Sequence, residues 1–151
     1  MKQFAIPAIL ASVVALAACG SGNTSNSGTI NGNWNASLTN PDSSPAFAFT
    51  ASLAASNGSS TLTISNFSFT TAGSCFTSQT TETGTFGLAG NFNGNVSGSF
   101  GMQISTTFPG SPNNVLTLQG TVNNNTITGT WNLTGVQAGC TGSGNFTMNK
   151  M

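Results

Sequence analysis

From residue 30 onward, apolar and polar positions alternate with a period of two. Ile30, Gly32, Trp34, Ala36 and Leu38 are apolar or glycine, and Asn31, Asn33, Asn35 and Ser37 stand between them. The same alternation runs through Phe47-Phe49-Ala51-Leu53, Gly84-Phe86-Leu88 and Val96-Gly98-Phe100-Met102-Ile104. It recurs in Leu116-Leu118-Gly120-Val122, Ile127-Gly129-Trp131-Leu133 and Gly142-Gly144-Phe146-Met148. Successive side chains of a strand point to opposite faces, so each run describes a strand with one buried face. The pattern predicts eight strands, at 29–38, 45–55, 60–70, 79–92, 95–107, 115–122, 126–135 and 140–149. Between Ile64 and Phe67 the phase flips, which predicts a β-bulge near Ser65-Asn66.

Five of these strands carry a glycine two residues before an aromatic: Gly32-Asn33-Trp34, Gly84-Thr85-Phe86, Gly98-Ser99-Phe100, Gly129-Thr130-Trp131 and Gly144-Asn145-Phe146. The two residues share a face, so each glycine leaves room for strong strand coiling or for a neighbouring ring. Connections at Asn57-Gly58, Asn93-Gly94 and Asn123-Asn124-Asn125 are short and rich in residues that tolerate positive φ, as tight hairpins require. The alternate connections, 39–44, 71–78, 108–114 and 136–139, are longer and irregular. The expected fold class is all-β, an eight-stranded antiparallel up-and-down β-barrel, with a two-sheet β-sandwich as the alternative. Closure into a barrel would remove exposed edges. In either meander the long loops share one end and the tight turns the other.

With Gly32-Asn33-Trp34 on its first strand, the domain resembles the calycin group of barrels, the lipocalins and avidins. The resemblance implies the barrel shape. The chain has no Arg or Tyr for further lipocalin signatures and no counterpart of the avidin biotin-binding residues, so no site is carried over.

The N-terminus has a different pattern. Lys2 precedes an apolar run from Phe4 to Ala18, the layout of a secretory signal and shorter than the roughly 20 residues of a membrane span. Leu16-Ala17-Ala18-Cys19 resembles the lipobox of bacterial lipoproteins, in which the cysteine thiol receives a diacylglyceryl group before cleavage. The resemblance implies that residues 1–18 are a signal peptide and that Cys19 becomes a lipid-modified N-terminus. It also implies several acyl chains, palmitate among them, where one would hold only weakly. An ordinary secretory signal cut near Ala18 is the alternative. Residues 19–28 then form the lipidated cysteine and a Gly/Ser/Asn tether, and 29–151 the β domain.

Composition narrows the chemistry. Asn, Ser, Thr and Gly make up more than half of the chain, charged residues are 3 % and His is absent. Nucleic-acid binding requires a basic surface, and none is encoded. Without His there is no usual general base or Ser-His-Asp constellation, and hydroxyls without an activating base are not nucleophiles. Asp42 and Glu82 are the two acids, and a hydrolase would need them to converge. No metal and no cofactor is expected. Removal of Cys19 into the anchor leaves Cys75 and Cys140, both at the long-loop end, an even count in an oxidising compartment. They are expected to form a disulfide, with loop 71–78 folding across the barrel mouth to bring the sulfurs together.

The candidate ligand-binding residues are Glu82 and Thr80, inward on the fourth strand near the open end, with Trp34 and Trp131 as inward rings. Core filling is the alternative for both tryptophans, and for Glu82 the favoured alternative is that strand four has left the barrel by residue 82 and the carboxylate meets solvent. The expected function is that of a non-enzymatic structural or interaction domain, lipid-anchored to the bacterial cell envelope at the outer membrane or cell surface. Its partners would be the membrane, through the lipid, and an envelope protein or polysaccharide. The alternative is a lipocalin-like carrier of a small apolar ligand, which an interior filled by Trp34, Phe86, Phe100, Trp131 and Phe146 would exclude.

Overall fold

The computed structural model describes residues 30–56, 59–77, 79–92, 95–106 and 113–151. The expected signal peptide, Cys19 and tether lie outside the described residues, as do the predicted turn residues Asn57-Gly58 and Asn93-Gly94. Eight strands form: β1 Gly32–Thr39, β2 Pro45–Ala55, β3 Thr61–Thr71, β4 Thr80–Phe92, β5 Asn95–Thr106, β6 Val115–Asn123, β7 Thr126–Thr134 and β8 Gly142–Lys150. Each pairs antiparallel with the next, and β8 returns to β1, which closes the sheet into an up-and-down barrel. The sandwich alternative is therefore ruled out. A ring of ladders pairs strand edges that two open sheets would leave bare, although among the described residues β3 and β4 share only the pairs Thr61↔Thr85 and Leu62↔Gly84.

The bulge falls where the phase flip predicts it. Thr50 stands opposite Ser68 and Ser52 opposite Ser65, so β3 carries one extra residue against Ala51, and a second shift follows where Phe49 faces Phe69 and Ala48 faces Thr71. Asn66 takes φ 50°, and this re-aims the strand so that Ile64, Phe67 and Phe69 all pack toward the core. Asn66 Nδ2 also donates to Ser52 Oγ at 3.1 Å, and Ser52 Oγ donates to Asn33 Oδ1 at 2.6 Å, linking β3, β2 and β1 on the outer wall.

Packing inside the ring explains the repeated Gly-x-aromatic motif. The Trp131 indole lies across β8: a Cβ on Gly144 would come within 2.8 Å of its Nε1, and one on Gly142 within 3.3 Å of the ring. Beyond β8 the same Nε1 reaches β1, donating to the Thr39 carbonyl at 2.9 Å. Phe146 likewise lies across Gly129, its ladder neighbour on β7, to meet Gly120 on β6, where a Cβ would stand 2.9 Å from the ring. A Cβ on Gly98 would lie 2.6 Å from the Phe86 ring. At Gly98, Gly120 and Gly144 an added Cβ would meet both the ring and a backbone carbonyl, that of Gly87, Thr128 or Thr39 respectively. An eight-stranded barrel has room for little more than its own side chains, and the glycines are how this one fits large rings into that width.

The two ends are built differently. At the tight-turn end, Asn124 (φ 55°) donates its N–H to the Val96 carbonyl at 2.9 Å, and its Oδ1 accepts from Val96 N–H at 3.2 Å. Ile30 and Trp34, both fully buried, plug that end. At the opposite end, a 3-10 turn at Gly73–Phe76 folds Cys75 and Phe76 into the mouth. Cys75 is bonded to Cys140, with the Cα atoms 5.5 Å apart.

Candidate functional site

The mouth is closed by a chain of rings. Phe76 stacks on Phe69 with centroids 4.8 Å apart and meets Phe47 edge-on at 5.8 Å. Phe47 in turn meets Trp131 edge-on at 5.5 Å. Beneath the disulfide, Asn114 joins three loops. Its Nδ2 donates to the Cys75 carbonyl at 2.8 Å and to Gln137 Oε1 at 3.2 Å, while its own N–H donates to Thr106 Oγ1 at 2.9 Å. Asn114 is fully buried. Residues 72–77, the loop 135–141 and the entry to β6 are therefore one cross-linked cap.

The four candidate ligand residues separate into two groups. Thr80 and Glu82 are brought together: the Thr80 hydroxyl donates to Glu82 Oε1. Both are half-buried, on the same face of β4 as buried Gly84 and Phe86, opposite Thr106 and Ile104 of β5. The two tryptophans are core residues whose N–H groups are already satisfied by backbone carbonyls. Trp34 Nε1 donates to Ile30 at 2.8 Å, at the far end from Glu82, and Trp131 donates to Thr39. A buried indole with its donor in use fills and cross-links the core.

Asp42 works within its own turn. Its Oδ1 accepts from Ser44 Oγ at 2.6 Å and from Ser44 N–H at 3.0 Å. These bonds, the hydroxyl first, hold its carboxyl below the ordinary aspartate value of 3.8, and the side chain is fully exposed. Hydrogen bonds to the ionised form favour ionisation, which suits a turn-stabilising anion and is opposite to the tuning of a general acid. Among the described residues no cluster of three or more His, Cys, Asp or Glu side chains could hold a metal ion.

One feature was not predicted from the sequence. On the outer wall, a groove of about 200 Å³ crosses β4, β5 and β6, with Gly101 at its floor and Thr83, Thr85, Gln103, Thr117 and Gln119 around it. Gly101 points outward, opposite Thr85 and Gln119, where every other position on that face of β5 would carry a side chain. Its signal in the sequence is a glycine on the polar phase of the strand, among many glycines on the apolar phase. The groove offers hydroxyl and amide groups and no charge.

The chain matches no protein-family model, none of the curated proteins and none of the solved structures with which it was compared.

Proposed function

We propose that the protein is a membrane-anchored bacterial lipoprotein whose barrel serves as a non-enzymatic contact or structural module of the cell envelope. In this reading residues 1–18 are removed on export, Cys19 carries the acyl chains and the tether 20–28 leads to the barrel at the outer membrane or cell surface. The observation that carries the reading is the polarity of the barrel. β1 begins at the tight-turn end, so an anchor at Cys19 turns the disulfide-held cap away from the bilayer. An outward cap stapled by Cys75–Cys140, Asn114 and the rings of Phe47, Phe69, Phe76 and Trp131 is suited to exposure outside the cell. The groove around Gly101, uncharged and mostly apolar with Thr and Gln side chains around it, offers the wall a neutral surface for an envelope protein or polysaccharide.

The packing speaks against the carrier alternative. Trp34, Phe86, Phe100, Trp131 and Phe146 are all buried, and the glycines facing Phe86, Phe146 and Trp131 have no space for even a methyl group. An apolar fluorescent probe such as N-phenylnaphthylamine is expected to show no saturable binding. The anchoring itself is tested by fractionating cells that express the full chain or its Cys19→Ser variant. The wild type is expected in the membrane fraction and the variant in the soluble fraction or retained with residues 1–18 uncleaved. Identical partitioning of fully processed wild type and variant would refute the lipid anchor.

A further inference from the structure

Among the described residues three large apolar side chains are exposed: Leu88 at 51 %, Val136 at 65 % and Met151 at 71 %. Val136 stands on the cap loop 135–141. Leu88 and Met151 both stand at the tight-turn end, one on β4 and the other just past β8, four strands apart in a ring of eight. The backbone holds each of them out. β3 leaves β4 early: beyond Thr61↔Thr85 and Leu62↔Gly84 their last described bond runs from Phe86 N–H to the Ser60 carbonyl. β4 nevertheless continues to Phe92, and over 87–92 it pairs with β5 alone among the described residues. Leu88 shares the inward phase of Gly84 and Phe86, but no β3 residue stands beside it, so its side chain meets solvent beyond the rim. Ala89 next to it is exposed as well. Met151 is fixed by its N–H, which donates to the Asn33 carbonyl at 2.9 Å near the start of β1.

The chain before β1 reaches this same end. The tether 20–28 is Gly, Ser, Asn and Thr throughout. Fully extended it spans about 30 Å, and as a flexible coil it averages about 17 Å. β4 alone, with 13 residues, is about 40 Å long. A barrel on so short a tether keeps its tight-turn end at the surface that holds Cys19, where even a weak contact forms at high effective concentration. Both acidic side chains, Asp42 and Glu82, lie at the cap end, so neither opposes headgroup phosphates. An apolar side chain at the boundary between headgroups and acyl chains leaves water without the protein having to insert further.

We propose that the tight-turn rim is a bilayer-docking surface, a reading that rests on the lipid anchor at Cys19. Leu88 on the overhanging β4–β5 hairpin and Met151 across the ring enter the lipid surface at two opposite points, and the barrel stands on end. The test places one fluorescent maleimide at a time on Leu88→Cys, Met151→Cys or, as the cap-end control, Val136→Cys. The full chain is processed in cells, its lipid is verified by mass, and it is reconstituted in phosphatidylcholine vesicles. Lipid carrying a nitroxide near the headgroup then quenches by contact. The labels at 88 and 151 are expected to lose most of their emission and the label at 136 none. Leu88→Asp, a change at an exposed position, is expected to reduce the quenching at 151. Equal quenching at all three sites would mean a barrel lying on its side. No quenching at 88 and 151 of lipidated protein would mean a barrel held off on its tether. Unchanged quenching with Leu88→Asp would mean that the tether alone holds the rim there. Each of these would overturn the docking and leave the anchor intact, whereas a processed chain without lipid that stays off the vesicles would remove both.

Discussion

Replacing both Cys75 and Cys140 with Ala tests how the cap is held. The two residues are 65 positions apart, and cross-linking a loop of that length removes chain entropy worth about 4 kcal/mol from the unfolded state. A domain of about 120 residues has an unfolding entropy near 0.25 kcal/mol/K, so the double variant is expected to melt about 15 °C lower. The loss should be uniform, because the constraint acts on the unfolded chain: the β1–β2 and β6–β7 ladders, far from the bond, lose hydrogen-exchange protection as much as the cap does. The assay is a thermal melt of wild type and variant under oxidising conditions, with exchange measured at a common temperature. Full reduction of the wild type should reproduce the variant. A shift under about 4 °C, or loss of protection confined to residues 72–77 and 135–141, would refute the entropic account and leave a merely local staple.

Three further outcomes follow from the packing. Gly144→Ala puts a methyl group against both the Trp131 indole and the Thr39 carbonyl that it donates to, and overpacking at such a contact should cost about 1–3 kcal/mol in urea denaturation, with a red shift of tryptophan emission. Asn114→Ala leaves the Cys75 carbonyl and Gln137 Oε1 without their shared donor, a loss of about 1–3 kcal/mol that Asn114→Asp, which also lacks the donor, should not rescue. For Asp42 the folded pKa lies below the unfolded one, so its stabilising contribution is present above the unfolded value and is lost as pH falls through the folded value. The melting temperature should therefore be nearly constant from about pH 5 to 9 and fall at lower pH, with Asp42→Asn reducing part of that acid-side fall.

Much of the fold could be read from the order of residues because a strand in a half-solvated barrel has only one way to sort its side chains. The alternation from Ile30 to Met148 placed eight strands within a few residues of their observed ends, and the phase break at Ser65-Asn66 marked the bulge. The disulfide followed from the meander, which sends residues 75 and 140 to one end, together with the even count of cysteines expected after Cys19. Other features depend on contacts that no local pattern records. The acceptor for Trp131 is the Thr39 carbonyl, 92 residues away, and Asn114 looks like any loop asparagine in a chain full of them. The short β3–β4 ladder is invisible for the same reason: the broken alternation of β3 marks its bulge, and only the divergence of two strands in space decides how many residues pair. Of the candidate site, Thr80 and Glu82 meet as their spacing on one strand face requires, while the tryptophans belong to the core.

The proposed anchor, and the orientation it gives the barrel, both rest on Cys19. Mass spectrometry of the N-terminal peptide, from protein extracted out of the membrane fraction of its own cells, tests this most directly. The predicted peptide begins at Cys19, lacks residues 1–18 and carries a diacylglyceryl group on the sulfur. A peptide that begins at Cys19 with an unmodified thiol, or one that still contains Leu16-Ala17-Ala18, would contradict the account.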